Sequence, residues 1–428
     1  MDEVNRNRLE EFRQLRQGIR HSEEYLIVGI DIAKDRHHAF FGTATGKTLL
    51  RRLVFSNDHE GFRKLLDQAE ALRVRHGLKK VVYGMEPTAN YHKPLGEYLI
   101  TLGRTVVLVS GVTVKRNRES LDGRWDKHDT KDAANVADLI SQGKCLYYEY
   151  PSAELRGLRG LLSLKRRLKK QEHGYKVRIR NHLIARYFPE MDRDYERLGT
   201  VGLSIVRWCF PASQITELDV EPFIQRVTSR RIRVETRRRL EEVWEKAGAS
   251  IGCEGVPGME HEAKVMVEGL RQIREVIKET EDKIQQLCEQ FPEYPYVLTI
   301  PGFGPDVSAK VLGAIGDPNR FQNGKQVLKM GGLDLSADRS GKDSDKAIPE
   351  ISKRGKADLR YALYQAALIA SVKNRDFMIY YTNKLRGRER EKGIHVKMRV
   401  KLAAKLLVIA WTLMKKKEKF NPAYLNAE

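Results

Sequence analysis

At 428 residues the chain has room for two or three domains with sizeable cores, and its 78 lysines and arginines stand against 57 acidic residues, a net charge of +21. An excess this large favours polyanionic partners, with nucleic acid ahead of an anionic membrane surface. The longest late apolar run, residues 406–414, falls far short of the roughly 18 residues a spanning helix needs, and the first 24 residues are too charged for a signal peptide. Cys145, Cys209, Cys253 and Cys288 form no C-x-x-C pair, which argues against a zinc site and a disulfide scaffold, so a cytoplasmic protein with no membrane partner is expected.

Residues 1–24 read as a charged helix or arm. Three strand-like runs follow at 26–32, 38–42 and 49–55, rich in the β-branched and aromatic residues that suit a pleated surface. Asn57-Asp58 offers a cap for an amphipathic helix over 61–74. A strand at 80–85, a helix at 91–102, a strand at 105–110 and a helix through 132–140 complete a mixed sheet, antiparallel at first and parallel later.

After Pro151 the pattern becomes helical and rich in leucine, arginine and lysine. Residues 189–260 show little core periodicity and include the basic stretch Ser229-Arg230-Arg231-Ile232-Arg233-Val234. Met266, Leu270, Ile273, Ile277, Thr280, Ile284, Leu287 and Phe291 then alternate at spacings of four and three, a heptad seam with one polar interruption, for which residues 155–188 are the expected partner helix. A last, mostly helical domain starts near Tyr296. The organisation expected is α/β plus all-α: residues 25–150, a helical coiled-coil region over 151–295 with a basic insertion, and 296–428.

The carboxylates carry the chemistry. Asp31 ends the first strand, in Gly29-Ile30-Asp31-Ile32-Ala33-Lys34, where it is either a solvated strand-end residue or a metal ligand on a rigid element. Glu86 follows the strand at 80–85 directly. Asp129 and Asp132, three apart on a helix, share a face. The four make an oxygen-only set suited to magnesium or manganese, and two such ions about 4 Å apart can activate an attacking oxygen and stabilise a leaving one in phosphodiester chemistry. Asp122, Asp126 and Asp138 read as bystanders.

The series strand–Asp, strand–Glu and helix Asp-x-x-Asp resembles the RuvC-like branch of the RNase H fold. The strings around Asp31, Glu86-Pro87-Thr88-Ala89-Asn90-Tyr91 and Lys127-His128-Asp129-Thr130-Lys131-Asp132-Ala133 resemble, more specifically, the DEDD transposases of insertion sequences, relatives of the pilin-gene DNA invertase. The resemblance covers about 25–150 and 296–400. In the second part, Pro301-Gly302-Phe303-Gly304 resembles a helix-hairpin-helix turn, in which Gly302 and Gly304 let backbone N–H groups approach a phosphate. Ala337-Asp338-Arg339-Ser340-Gly341-Lys342 resembles the family's transposase domain, whose nucleophile is a serine before glycine; Ser340 matches that position.

The resemblance implies a covalent serine–DNA intermediate, a metal on Asp31, Glu86, Asp129 and Asp132, donor and target DNA as substrates, a noncoding bridge RNA as guide, and a dimer or dimer of dimers. Arg339, Lys342, Lys353 and Arg354 are the positive groups available to a phosphate at Ser340. Ser344 and Ser352 are decoys, with Ser352 expected to cap the next helix. The lysine- and acid-rich loop after Ser340 and the long middle region depart from the family pattern. Basic stretches at 164–170 and 386–397 are candidate backbone contacts, whereas Tyr380, Tyr381 and Trp411 are expected to pack helices. The residues alone leave two other functions open: a metal-dependent junction resolvase using water, and a non-catalytic nucleic-acid-binding scaffold.

Overall fold

Isoleucine and valine dominate the strand β1 (Tyr25–Asp31), and its first six residues are all buried, as a strand covered on both faces requires. The computed structural model describes residues 12–122, 129–148, 150–194, 198–228, 232–336 and 350–425, and the chain divides into two compact units, 1–151 and 152–428.

In the first unit, α1 (residues 12–19) precedes β1, and β2 (Arg36–Thr43) and β3 (Thr48–Ser56) complete an antiparallel meander. The helix α2 (His59–Arg75) returns the chain to β4 (Lys80–Met85), and α3 (His92–Thr101) leads to β5 (Thr105–Leu108), so that β4 lies parallel to β1 and β5 parallel to β4. Then come α4 (Gly111–Asp122), α5 (Asp129–Ser141) and β6 (Leu146–Tyr147), antiparallel to β5; the strand order is β3-β2-β1-β4-β5-β6. The expected mixed sheet is present, while α4 and β6 went unforeseen. Leu26, Val28 and Ile30 face a core that includes Phe62 and Leu65 of α2 and Leu95 of α3. Ile27, Val82 and Val107 face the other side, with Val136 and Ile140 of α5 and Ile19 of α1. The start of α2 is fixed by Asp58, whose carboxylate accepts the Gly61 N–H at 2.8 Å, a cap worth about 1 kcal/mol. The helix at 12–19 is docked rather than a loose arm: Ile19 is fully buried and Arg16 Nε donates to the Gly143 carbonyl at 2.7 Å.

Among its described residues the second unit is helical apart from one short pair of strands. The helix α6 (Ala153–Arg178) passes through a π-helical turn at Ile179–Ile184 into α7 (Ala185–Tyr187), followed by α8 (Met191–Asp194), α9 (Thr200–Trp208), α10 (Ala212–Thr216), α11 (Val220–Val227), α12 (Val234–Gly248) and α13 (Met259–Cys288). Next are α14 (Tyr294–Val297), α15 (Pro305–Ile315), α16 (Gly324–Gly331), the paired strands β7 (Leu335–Ser336) and β8 (Glu350–Ile351), α17 (Ala357–Lys373), α18 (Arg375–Leu385) and α19 (Ile394–Lys416). The helices α6 and α13 pack lengthwise within the chain, and they run antiparallel, since Gly157 lies against Leu287 and Gly269 against Tyr175. Thr280, the polar interruption of the seam, is buried and gives its hydroxyl to the Val276 carbonyl at 2.7 Å. Ile179 to Leu270 contribute to one core and Leu158, Ile284 and Cys288 join the C-terminal helices in another. Among the described residues no helix is long and apolar enough to cross a membrane.

Candidate functional site

The register of the central strands decides which residues meet. Ile30 pairs with Met85 in the parallel β1–β4 ladder, so the next pair, Asp31 and Glu86, stands side by side where both strands end. The carboxyl ends of parallel strands are where open α/β sheets bind their ligands. Side chains alternate across a sheet, so Asp31 shares a face with Gly29 and Glu86 with Gly84. Gly29 and Gly84 are themselves register partners. A methyl at Gly29 would lie 2.2 Å from the Ala133 carbonyl oxygen, and one at Gly84 would lie 2.1 Å from Ile140 Cδ1. The two glycines thus form the seat on which α5 rests, and Ala133, which follows Asp132, lies against Gly29 two residues before Asp31.

Asp132 is almost fully buried, and its Oδ1 lies 2.6 Å from Arg118 Nη2 of α4 without an aligned hydrogen bond. Val114 of α4 joins Val136 and Ile140 of α5 in one core, and a set of amide hydrogen bonds links the two helices. Asn117 donates to Asn135 at 2.7 Å and to Asp138 at 2.8 Å, and Asn135 donates to the Val114 carbonyl at 2.8 Å. Asp138 also accepts from Gln142, so its carboxylate ties helices together. Glu86 lies against the start of α4, where a methyl on Gly111 would approach its Oε1 to 2.5 Å. Asp129 stands in the first turn of α5, with its side chain outside the described residues.

Two histidines that sequence reasoning passed over flank Asp31. His38 is its partner in the antiparallel β1–β2 register and so shares its face. His37 points the other way, is fully buried, and accepts the Ala33 N–H on Nδ1 at 3.2 Å, which pins the turn just after Asp31. Burial pushes its ring below the ordinary histidine range, against a smaller opposing effect from Asn57. Adjacent histidines in a strand whose neighbour carries a carboxylate were the available signal.

The donor set fits a hard divalent cation in chemistry: oxygen ligands at strand ends, and a buried carboxylate oxygen left without an aligned donor. Among the described residues, however, no three His, Cys, Asp or Glu side chains gather closely enough to hold a metal ion. The cation now beside Asp132 is Arg118.

In the second unit Gly302 has φ +87°, and a methyl there would lie 2.4 Å from the Ala366 carbonyl, so this glycine is required for the turn and for packing on α17. Gly304 caps α15 with open space around it. Lys353 and Arg354 are exposed just before α17. Ser340, Arg339, Lys342 and Ser344 lie outside the described residues, between β7 and β8, which pair through Leu335 with Ile351 and Ser336 with Glu350. Ser352 does not cap α17. Its hydroxyl and N–H both bond Asp334, and Lys356 holds the cap position. Cys145 and Cys288 are buried, and burial pushes the Cys288 thiol up to about 12, away from a nucleophile's range. Tyr380 is half-buried on the C-terminal core, Tyr381 bonds His395 at 3.1 Å, and Trp411 donates to the Pro318 carbonyl at 2.8 Å.

Comparison with known proteins gives this geometry a family. A transposase family model matches residues 28–189, and the model of the IS116/IS110/IS902 family of transposases matches 294–382. The chain is 24% identical to the insertion element IS116 uncharacterized 44.8 kDa protein of Streptomyces clavuligerus, over 92% of this chain and 96% of that one. It is 24% identical to a probable family 20 transposase of Pseudomonas aeruginosa, over 73% and 78% of the two chains. It is 23% identical to the pilin gene-inverting protein of Moraxella bovis, over 80% and 82%. With one transposase model on the sheet and the helix after it, another on the C-terminal helices, and relatives aligned along most of its length, the chain belongs to the IS116/IS110/IS902 family of transposases.

Proposed function

We propose that the chain is a DNA recombinase that exchanges strands through a covalent serine–DNA intermediate, with Ser340 as nucleophile and a divalent metal, magnesium or manganese, on Asp31, Glu86, Asp129 and Asp132. The observation that carries the metal half is the register that sets Asp31 beside Glu86 at the ends of parallel strands, with Ala133, the residue after Asp132, packed on Gly29 of the strand that ends in Asp31. A strand order with β1 central, a meander on one side and parallel strands on the other supports the RNase H-like reading. A bound metal would lower the charge barrier at the scissile phosphate. Ser340 Oγ attacks phosphorus, the bond to the 3′-oxygen breaks, and the serine proton ends on that oxygen. A 3′-hydroxyl from the second strand then attacks the phosphoserine, which restores the serine and joins the new strand. Arg339, Lys342, Lys353 and Arg354 would bind the phosphate oxygens.

The family resemblance supports donor and target DNA as substrates, a bridge RNA that reads sequence by base pairing, and a dimer or dimer of dimers in which metal and serine come from different subunits, acting in the cytoplasm. The relative named as a pilin gene-inverting protein supports strand exchange rather than simple cleavage. The test is a trapping experiment with magnesium, labelled donor DNA and RNA copurified from the native locus, followed by denaturation and mass spectrometry. DNA attached to Ser340, absent after Asp31→Asn, is the expected result. Metal-dependent nicking with no protein adduct would replace this reading with a water-using resolvase.

A further inference from the structure

A second site lies in the helical unit. The helices α6, α15 and the start of α17 enclose a groove of about 500 Å³, within the roughly 300–1,000 Å³ of ordinary ligand sites. Arg159, Leu162, Ser163, Arg166 and Lys169 form one stripe of α6 along it, at helical spacing. The floor is apolar and tight: Leu162, Leu359, Ala314 and Gly313, where a methyl would come within 2.8 Å of Leu162 Cδ1. Tyr361, two-thirds exposed, stands at the edge.

The cations divide into two kinds. Lys165 is clamped by Asp306 at 2.6 Å and Glu281 at 2.8 Å, which ties α6 to α15 and α13, and Lys310 is held by Asp306 of its own helix at 2.7 Å. Arg159 is steered into place by its bond to the Gly313 carbonyl at 2.8 Å. Arg166 reaches Asp358 at 3.3 Å, but both side chains are more than half exposed, so this is a weak link that a phosphate can replace. Lys169, half-exposed and 3.3 Å from Glu172, and Lys356 complete the rim, the latter at the N-terminus of α17, whose cap has no side-chain hydrogen bond.

A basic rim over an apolar and aromatic floor is the arrangement that binds single strands, with phosphates on the rim and an unstacked base below. A duplex, its bases stacked inside, would use the rim and leave the floor unused. We propose that this groove holds a nucleotide of a single-stranded segment of RNA or DNA, with the base on Tyr361 and the apolar floor and the phosphates on Arg159, Arg166, Lys169 and Lys356. The inference rests on the nucleic-acid role proposed above and names where an unpaired segment is held.

The test uses the full chain in chelator, so that no strand transfer occurs, and follows anisotropy of labelled single-stranded DNA, single-stranded RNA and a hairpin duplex. Tyr361→Ala should weaken single-strand binding roughly 5- to 100-fold and leave the duplex unchanged, with Tyr361→Phe within about twofold of the parent. Arg166→Glu with Lys169→Glu should weaken both and flatten the salt dependence, by a slope of about 0.7 per lost phosphate contact on the single strand. The tighter of RNA and DNA identifies the source of the segment. Unchanged single-strand affinity in Tyr361→Ala, an equal loss on the duplex, or Tyr361→Phe as weak as Tyr361→Ala would each overturn the proposal. A chain that traps DNA on Ser340 yet ignores Tyr361→Ala would sink the groove alone, and the reverse pattern would sink the serine mechanism alone.

Discussion

Arg118 Nη2 sits 2.6 Å from Oδ1 of Asp132, and the carboxylate it covers is one of the four that the proposed metal would need. A carboxylate this buried is costly without a counter-charge, so a cation at this place has a structural reason. The same guanidinium opposes a second cation arriving at Asp132, through the charge repulsion that operates at short range in a partly buried site. Arg118→Met should therefore tighten manganese binding by about tenfold, read by titration of the ion's electron paramagnetic signal, while lowering the metal-free melting temperature. Asp132→Asn should abolish that binding. A lower melting temperature with unchanged manganese affinity would leave Arg118 as a counter-ion for folding and nothing more.

The seat under α5 makes a different prediction, because the two glycines meet different neighbours. Alanine at Gly29 would collide with backbone at Ala133 and Ala137, whereas alanine at Gly84 would meet the flexible end of Ile140. Gly29→Ala should cost more than Gly84→Ala, with overpacking of about 1–3 kcal/mol setting the scale for the milder case. Denaturant unfolding measures both. Gly84→Ala combined with Ile140→Val should recover much of the loss; Gly29→Ala has no such rescue, and it should also reduce metal-dependent cleavage although no carboxylate has changed. Equal costs at the two positions would contradict the seat as described.

The same contrast explains what could be read in the sequence. The strands β1 to β4 were legible as short runs rich in β-branched, aromatic and other apolar residues, and Asp31 and Glu86 because they stand where the runs at β1 and β4 stop. What made them neighbours was the parallel register, which no local pattern encodes. The seat of glycines looked like ordinary strand glycine until α5 was laid on it. Residues 189–260 were opaque because α9 (Thr200–Trp208), α10 and α11 are too short to show a period, and their apolar residues are satisfied by one another and by α13. Ser352 was misjudged for a tertiary reason: Asp334, far back in the chain, takes both its hydroxyl and its N–H. Lys165 belongs to a basic stretch read as a candidate backbone contact, and its pairing with Asp306 and Glu281 depends on helices far away in the chain.

His37 gives the sheet unit a pH dependence whose sign is fixed by its environment. Its Nδ1 accepts the Ala33 N–H, so the ring is neutral with its proton on Nε2, and burial between Phe55 and Phe62 holds its pKa below 6.5. A depressed value means that the stabilisation is full above the unfolded-state pKa and is lost as pH falls through the folded-state one. Between about pH 8 and pH 5 the parent should therefore lose more melting temperature than His37→Leu does, although His37→Leu starts lower for want of the Ala33 bond. Parallel pH profiles would mean that His37 stays accessible to protons in the folded chain. The variant should also loosen the turn after Asp31 and so weaken manganese binding.

Glu172 does the converse for the helical unit at lower pH. Burial pushes its carboxyl up, but hydrogen bonds from Lys176 and Arg274, and the charge and hydrogen bond of Lys169, outweigh that and hold it at about 2. Arg274 Nε lies 3.2 Å from Glu172 Oε1, and the same arginine donates to the Leu198 carbonyl at 2.8 Å. One carboxylate thus joins α6, α13 and the chain entering α9. Its folded pKa lies below the ordinary 4.5, so its contribution is complete above that value and drains away as pH falls from there toward about 2. Glu172→Gln should cost about 1.5–3 kcal/mol near neutral pH, as charged hydrogen bonds do, and the gap between variant and parent should close as the solution is acidified over that interval. Urea unfolding at several pH values measures the gap directly. A difference that stayed constant down to the acid end would mean that Glu172 matters through packing, and the ion pairs around it would then contribute nothing to holding α6 on α13.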